Sequence, residues 1–131
     1  MKREELMIND MVFDYTNSPV KVCAVGQDIV VKNSFGIGSL EPKELSPIPL
    51  TEEILVKNGF VYREEEETCA TEAFHHWQLD GHSFALNYTQ YFRKEKKDNM
   101  PRFDVAGIAI HYVHQLQHLL RLCGIEKEIE L

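Results

Sequence analysis

At 131 residues the chain can form one domain, or one domain with a small addition, and it can bury a core without disulfides. Its formal charge of −7 opposes binding to nucleic acid, because that affinity comes largely from Lys and Arg that neutralise phosphates. No apolar run approaches the roughly 20 residues of a membrane-spanning helix or forms the apolar core of a signal peptide.

The cysteines indicate a reducing compartment. They are Cys23, Cys69 and Cys123, which are odd in number and widely spaced. This pattern argues against a disulfide framework, which is typical of small secreted proteins. Together with the missing apolar runs, it predicts a cytoplasmic protein with no membrane partner.

The first 49 residues have the composition of a small curled sheet. The β-branched runs MVFDY, VKVCAVG and DIVVKNSFGIG are separated by turn signals, among them Asn17-Ser18-Pro19. SPIPL closes the segment, since Pro47 and Pro49 cannot continue a helix. We predict a β-rich N-terminal unit over residues 1–49, for which an SH3-like barrel is one candidate.

Residues 51 to 59 predict one short helix. Thr51 can cap its N-terminus, and the acidic residues that follow suit the first turn of a helix. Gly59 is placed where a left-handed residue ends a helix, and Phe60 can fold back on the last turn.

A hairpin is predicted over residues 71–90, with its turn at Asp80-Gly81. A two-residue turn would place Trp77 opposite Phe84 and His75 opposite Leu86. That face is large and aromatic, so we expect it to face the core. FDVAGIAI, after a charged connection, predicts a further strand with a bulge at Gly107.

The C-terminal segment predicts an amphipathic helix over residues 111–123. One stripe is apolar and consists of Val113, Leu116, Leu120 and Cys123. Gly124 suits the left-handed position after the helix, and Ile125 can make the accompanying apolar contact.

The predicted fold class is therefore α+β, with two parts. Residues 1–49 form the β-rich unit, and residues 50–131 form a short helix, an antiparallel sheet and the C-terminal helix packed across that sheet. In this arrangement the apolar stripe of the helix is buried against Trp77, Phe84 and Leu86.

The opposite face of this helix carries polar and ionisable side chains that could bind a partner or a metal: His111, His114, Gln117, His118 and Arg121. His114 to His118 resembles the H-E-x-x-H zinc motif, but Gln115 stands in place of the glutamate and cannot act as a general base. The favoured interpretation is a polar face that is solvated or docked, with a tentative partner-binding role for these five residues. The alternative is a metal site at His114 and His118, for which a third ligand is not evident.

Other patterns carry weaker hypotheses. The basic cluster within residues 93–102 could contact nucleic acid, although a solvated loop explains it more simply. Glu64 to Glu67 lacks calcium-loop spacing, and Gly36 to Gly38 lacks the rest of a dinucleotide fingerprint. No catalytic constellation and no cofactor motif is predicted.

Two segments resemble a group of small proteins from phages and conjugative elements of gut bacteria. The matching positions are Ile48 to Phe60, in the pattern I-P-L-T-x-E-x-L, and Tyr112 to Gln117, in the pattern Y-V-H-x-L-Q. The segments that contain them, SPIPLTEEILVKNGF and YVHQLQHLLRLCGIEKEIEL, cover about a quarter of the chain, and the resemblance implies a mobile-element origin and a cytoplasmic setting. It implies no activity and carries over no catalytic residue.

These observations predict a non-enzymatic accessory protein of a mobile element that acts by binding an unidentified protein. Acidic charge, small size and the lack of a catalytic constellation favour this class. A metal-binding protein that uses the histidine helix is the alternative, and a nucleic-acid contact through residues 93–102 is a weaker one.

Overall fold

A computed structural model describes residues 1–65, 74–88 and 103–131. The α+β fold class is confirmed: these residues form two antiparallel sheets of five strands each and two α-helices. The chain divides into two compact units, of which the first joins Met1–Pro49 to Tyr112–Ile129. The second unit consists of Leu50–His111 and Glu130–Leu131.

The first unit is built on a strand meander whose last strand returns to the first. Its strands are β1 (Met11–Phe13), β2 (Pro19–Val25), β3 (Ile29–Asn33), β4 (Gly36–Leu40) and β5 (Ser46–Pro47). They lie in the order β4-β3-β2-β1-β5, and a 3-10 turn at Pro42–Glu44 precedes β5. This is the connectivity of SH3-like folds, which agrees with the candidate drawn from the sequence.

Strand alternation explains the core of this unit. Side chains of successive strand residues point to opposite faces, so every second residue can be buried. Val20 and Val22 on β2 and Ile29 and Val31 on β3 are buried in this way. With Leu6, Val12 and Leu45 they form one apolar cluster.

The C-terminal helix α2 (Val113–Leu122) ends as its sequence predicts. Gly124 has a φ of 72°, which only glycine adopts at little cost. The Ile125 N–H donates to the Leu120 carbonyl at 2.8 Å, and the Gly124 N–H donates to the Arg121 carbonyl at 3.0 Å. This pair of bonds is the Schellman arrangement, which satisfies carbonyls that the helix leaves unpaired.

The position of α2 differs from the one expected. The helix belongs to the first unit and contacts β1, whereas the sequence interpretation placed it in residues 50–131 against Trp77, Phe84 and Leu86. Backbone bonding at its start explains the difference, because the Val113 N–H donates to the Ile48 carbonyl at 2.9 Å. Cys123, expected on the buried stripe, is exposed.

The second unit begins with the short helix α1 (Glu52–Lys57), capped as predicted. The Thr51 hydroxyl accepts a hydrogen bond from the Ile54 N–H at 3.3 Å, and Gly59 has a φ of 85° after the last turn. A five-stranded antiparallel meander follows. Its strands are β6 (Phe60–Glu65), β7 (Phe74–Leu79), β8 (Ala85–Tyr88), β9 (Phe103–Val105) and β10 (Ile108–Ile110).

The predicted hairpin is confirmed over the described residues of 71–90, but its register is shifted. Trp77 pairs with Leu86 rather than with Phe84, because the connection is longer than two residues. A shift of two residues keeps each side chain on its face, since the strand period is two. The aromatic face is therefore buried as predicted, including Trp77, Phe84 and Leu86.

The turn between β9 and β10 also differs from its prediction. Ala106 and Gly107 have φ values of 52° and 82°, and Val105 pairs with Ile108. Two central residues with positive φ form a tight two-residue hairpin turn, so the expected bulge at Gly107 is replaced by a hairpin.

The burial of α2 gives a stability prediction with a matched control on the same helix. Leu116 is fully buried, whereas Leu122 is 83% exposed. We expect Leu116→Ala to lower the unfolding free energy by about 2–5 kcal/mol, because it leaves a cavity. Leu122→Ala should change it by less than about 0.5 kcal/mol. Chemical denaturation measures both, and equal midpoints would contradict this packing.

Candidate functional site

The polar face of α2 lies against the protein rather than in solvent. His114 is 5% exposed and Gln117 is 6% exposed, while His111, His118 and Arg121 are partly buried. The solvated version of the predicted face is therefore wrong for His114 and Gln117. The docked version describes Gln117, His118 and Arg121, which contact residues 9–11, whereas His111 precedes α2 and belongs to the second unit.

The side-chain amide of Gln117 makes hydrogen bonds to the backbone that a neighbouring strand would otherwise make. Its Oε1 atom accepts a hydrogen bond from the Met11 N–H at 2.9 Å, and its Nε2 atom donates to the Asn9 carbonyl at 3.0 Å. Asn9 has a φ of 74°, which turns the chain there, so these backbone groups leave the regular ladder. A side-chain amide supplies both a donor and an acceptor, so Gln117 satisfies both backbone groups.

Asp10 is the centre of this contact, and the sequence did not single it out. Its carboxylate is fully buried, and its Oδ2 atom accepts a hydrogen bond from the Met7 N–H at 2.8 Å. His118 Nε2 lies 2.8 Å from the same oxygen, and Arg121 Nη1 lies 3.1 Å from Oδ1. Two cationic or donor groups of α2 thus compensate a carboxylate that would be costly to bury alone.

Only the spacing of its partners could have indicated Asp10. His118 and Arg121 are three residues apart and share one face of a helix. Such a pair suits a carboxylate, but the sequence does not show which of the many acidic residues it meets.

The Arg121–Asp10 contact is an ion pair more than a directed hydrogen bond. The distance of 3.1 Å is short, yet neither Arg121 Nη1 nor Asp10 Oδ1 meets the angular requirement for a hydrogen bond. We attribute the interaction to charge, because Coulomb attraction depends on distance and tolerates poor alignment.

His114 is a buried and neutral member of this face. Its ring stacks on Tyr112 with centroids 5.8 Å apart and meets the His118 ring edge at 5.6 Å. Burial lowers the pKa of His114 below the usual histidine value, and the neighbouring His118 lowers it further, while Asp10 and Glu5 act in the opposite direction. The ring is therefore uncharged near neutral pH.

The metal alternative gains no support from this geometry. Within residues 1–65, 74–88 and 103–131, no three His, Cys, Asp or Glu side chains are grouped closely enough to hold an ion. His118 directs Nε2 at Asp10, and Gln115 accepts a hydrogen bond from the Tyr112 N–H at 3.2 Å. Gln115 therefore caps the start of the helix, where a zinc hydrolase would use a glutamate.

The remaining sequence hypotheses fall on other elements. The basic cluster of residues 93–102 lies outside the described residues, as does part of Glu64 to Glu67. Gly36 and Gly38 belong to strand β4, so they are not part of a phosphate-binding loop. No helix in the described part of the chain has the length and apolar character needed to cross a membrane.

A groove on the first unit, which the sequence did not indicate, gathers large exposed apolar side chains. It measures about 400 Å³, and its lining includes Tyr15, Lys32, Phe35, Ile37 and Gly38. Phe35 is 96% exposed, Ile37 is 75% exposed and Tyr15 is 71% exposed. We call it the β4 groove, because every residue of β4 lines it.

The turn that carries Tyr15 is held in place by its own hydrogen bonds. The Oδ1 atom of Asp14 accepts from the Thr16 N–H at 2.8 Å, from the Thr16 hydroxyl at 2.6 Å and from the Ser18 N–H at 3.0 Å. The hydrogen bond from the Thr16 side chain is the main cause that lowers the pKa of Asp14. The turn that brings Asp14 and Tyr15 to the β4 groove is thus fixed by local hydrogen bonds.

Comparison with protein-family models, with curated proteins and with solved structures gives no match. We therefore infer function from the residues of this chain.

The buried carboxylate gives a second stability prediction. Asp10→Asn removes the negative charge that faces His118 and Arg121. We expect it to cost about 3 kcal/mol, the lower end of the range for a broken buried pair, because both partners are partly exposed. Asp28→Asn, at an exposed aspartate of the same unit, should cost less than about 0.5 kcal/mol. Urea denaturation at neutral pH measures both, and similar losses would argue against a special role for Asp10.

The depressed pKa of His114 predicts how stability depends on pH. The folded state disfavours the charged ring, so the unfolded chain binds the proton first. This contribution to stability is present above the usual histidine value of about 6.5 and is lost as pH falls through the lower folded value. His114→Gln should flatten the curve in that window, whereas His82→Gln, at an exposed histidine, should leave it unchanged. An unaltered slope in His114→Gln would contradict the assignment.

Proposed function

We propose that the chain is a non-enzymatic protein-interaction module that binds its partner through the β4 groove. The observation that carries this proposal is the exposure of Phe35, Ile37 and Tyr15 around one groove. Single exposed apolar residues are ordinary, but grouped ones are typical of interaction sites.

Aromatic side chains are effective anchors for binding. They bury a large area at a small cost in side-chain entropy, and they are enriched among the residues that dominate binding energy. Phe35 lies at the tip of the β3–β4 hairpin, where the Asn33 Oδ1 atom accepts a hydrogen bond from the Phe35 N–H at 2.9 Å. That bond positions the hairpin tip before any partner arrives.

The tentative binding role of the α2 face is replaced by this groove. Gln117 and Asp10 are occupied by contacts within the first unit, and His114 is buried. A partner could reach these groups only by separating α2 from the segment before β1.

An accessory role in a phage or conjugative element, in the cytoplasm, is part of the same proposal. Its support is the resemblance at Ile48 to Phe60 and Tyr112 to Gln117 together with the acidic charge of the chain.

Affinity capture with matched variants tests the groove. We expect wild type and Ile108→Ser to retain the same partner from a lysate of the native host, and Phe35→Ser to lose it. Ile108 is a suitable control because it is 67% exposed on the second sheet. The retained protein, once purified, should bind wild type in calorimetry and bind Phe35→Ser at least about tenfold more weakly. Equal retention by all three proteins would contradict the proposal.

A further inference from the structure

Strand β4 is an open edge of the first sheet. It is the terminal strand in the order β4-β3-β2-β1-β5, and it pairs with β3 on one side only. Alternate residues of an antiparallel edge strand direct their N–H and C=O groups away from the sheet. Within the described part of the chain, no backbone group outside β3 bonds to these residues.

This edge lacks the protection that edge strands normally have. Charged residues, prolines and very short strands discourage pairing with another chain. The opposite edge, β5, has two residues and contains Pro47, and the edge strand β6 of the second sheet carries Arg63 and Glu64. Strand β4 reads GIGSL, with five residues, no charge and no proline.

Gly38 has no explanation within the fold. Its φ is not in the left-handed region, and an added Cβ would meet no atom within 4 Å. Glycine weakens a strand unless a bend or a close approach requires it. An approach from outside the chain accounts for a glycine that neither the backbone nor the packing needs.

The side chains beside the edge indicate what approaches. Ile37 pairs with Lys32 of β3, and Lys32 pairs with Lys21 of β2. One row across the sheet therefore runs from Lys21 through Lys32 to Ile37 at the open edge. Lys21 has Glu128 as an ion-pair partner at 3.5 Å, whereas no ion pair is formed by Lys32 among the described residues. An acidic residue on an added strand would be complementary to Lys32.

We infer that β4 accepts an extended, largely apolar segment of a partner protein, bearing an acidic residue, as an added strand of the first sheet. This inference rests on the proposed function and specifies its binding mode. Backbone hydrogen bonds to β4 supply affinity, while Ile37, Phe35 and Lys32 select the side chains of the segment. A second copy of this chain is a poorer occupant, because a charge of −7 on each copy opposes association.

The test uses a display library of random twelve-residue peptides, selected on the full chain. We expect the selected peptides to be apolar with an acidic residue. On binding, alternate β4 amides should gain protection from hydrogen exchange, because they become hydrogen bonded to the added strand. Lys32→Glu should weaken binding most at low salt, where surface charges are least screened.

Gly38→Val is the decisive variant. Valine is a better strand former than glycine, so the fold should be retained or stabilised, whereas affinity for the selected peptides should fall at least about tenfold. Ala24→Val is the matched control, because it adds a valine at an exposed position of β2 in the same sheet and should leave binding unchanged.

Three outcomes would contradict strand addition, and they differ in what they imply for the groove. In the first, the peptides bind wild type and Gly38→Val equally, do not protect β4 amides and do not bind Phe35→Ser. That result would overturn strand addition and leave the groove as the binding site. Protection of β4 by self-association without peptide, seen as a dimer in sedimentation, would also overturn it, since the occupant would be a second copy. Failure to select any peptide that binds the groove would count against both.

Discussion

The first unit depends on the pairing of one buried carboxylate, that of Asp10, with side chains of the C-terminal helix. Asp10 bonds to the Met7 N–H within its own turn and meets His118 and Arg121 from the C-terminal helix. Residues more than one hundred positions apart are thereby joined. Leaving that carboxylate uncompensated would cost several kcal/mol, which is a large fraction of the stability of a small domain. The helix is consequently part of the N-terminal fold.

This contact also determines which surface is available for function. On the polar face of α2, His118 and Arg121 face the buried Asp10 carboxylate, and Gln117 bonds to the backbone on either side of Asp10. The apolar residues that remain exposed gather elsewhere, at the hairpin that carries Phe35 and Ile37. Polar contacts of α2 thus add to the apolar core of the first unit, while a few large apolar side chains, among them Phe35 and Ile37, are exposed.

Local signals were sufficient for much of the fold. The Thr51 cap, the Gly124 helix end and the buried face of the hairpin each follow from a few adjacent residues, and each is present. Two features did not follow from local signals. The register of the hairpin depends on the length of its loop, which is longer than the Asp80-Gly81 signal indicates. The placement of α2 in the first unit depends on contacts with residues far away in the sequence. The proposed binding surface has no sequence signal for a related reason: Phe35 and Ile37 look like ordinary core residues until the strand order leaves β4 at the edge.

A double-mutant cycle between Asp10 and His118 tests the central claim that the polar face of α2 is an internal structural contact. Unfolding free energies are measured for wild type, Asp10→Ala, His118→Ala and the double variant. The account predicts a coupling energy of about 0.5–3 kcal/mol, because the two side chains share one buried interaction. Losses that add to within about 0.5 kcal/mol would show that the residues act independently and would contradict the account.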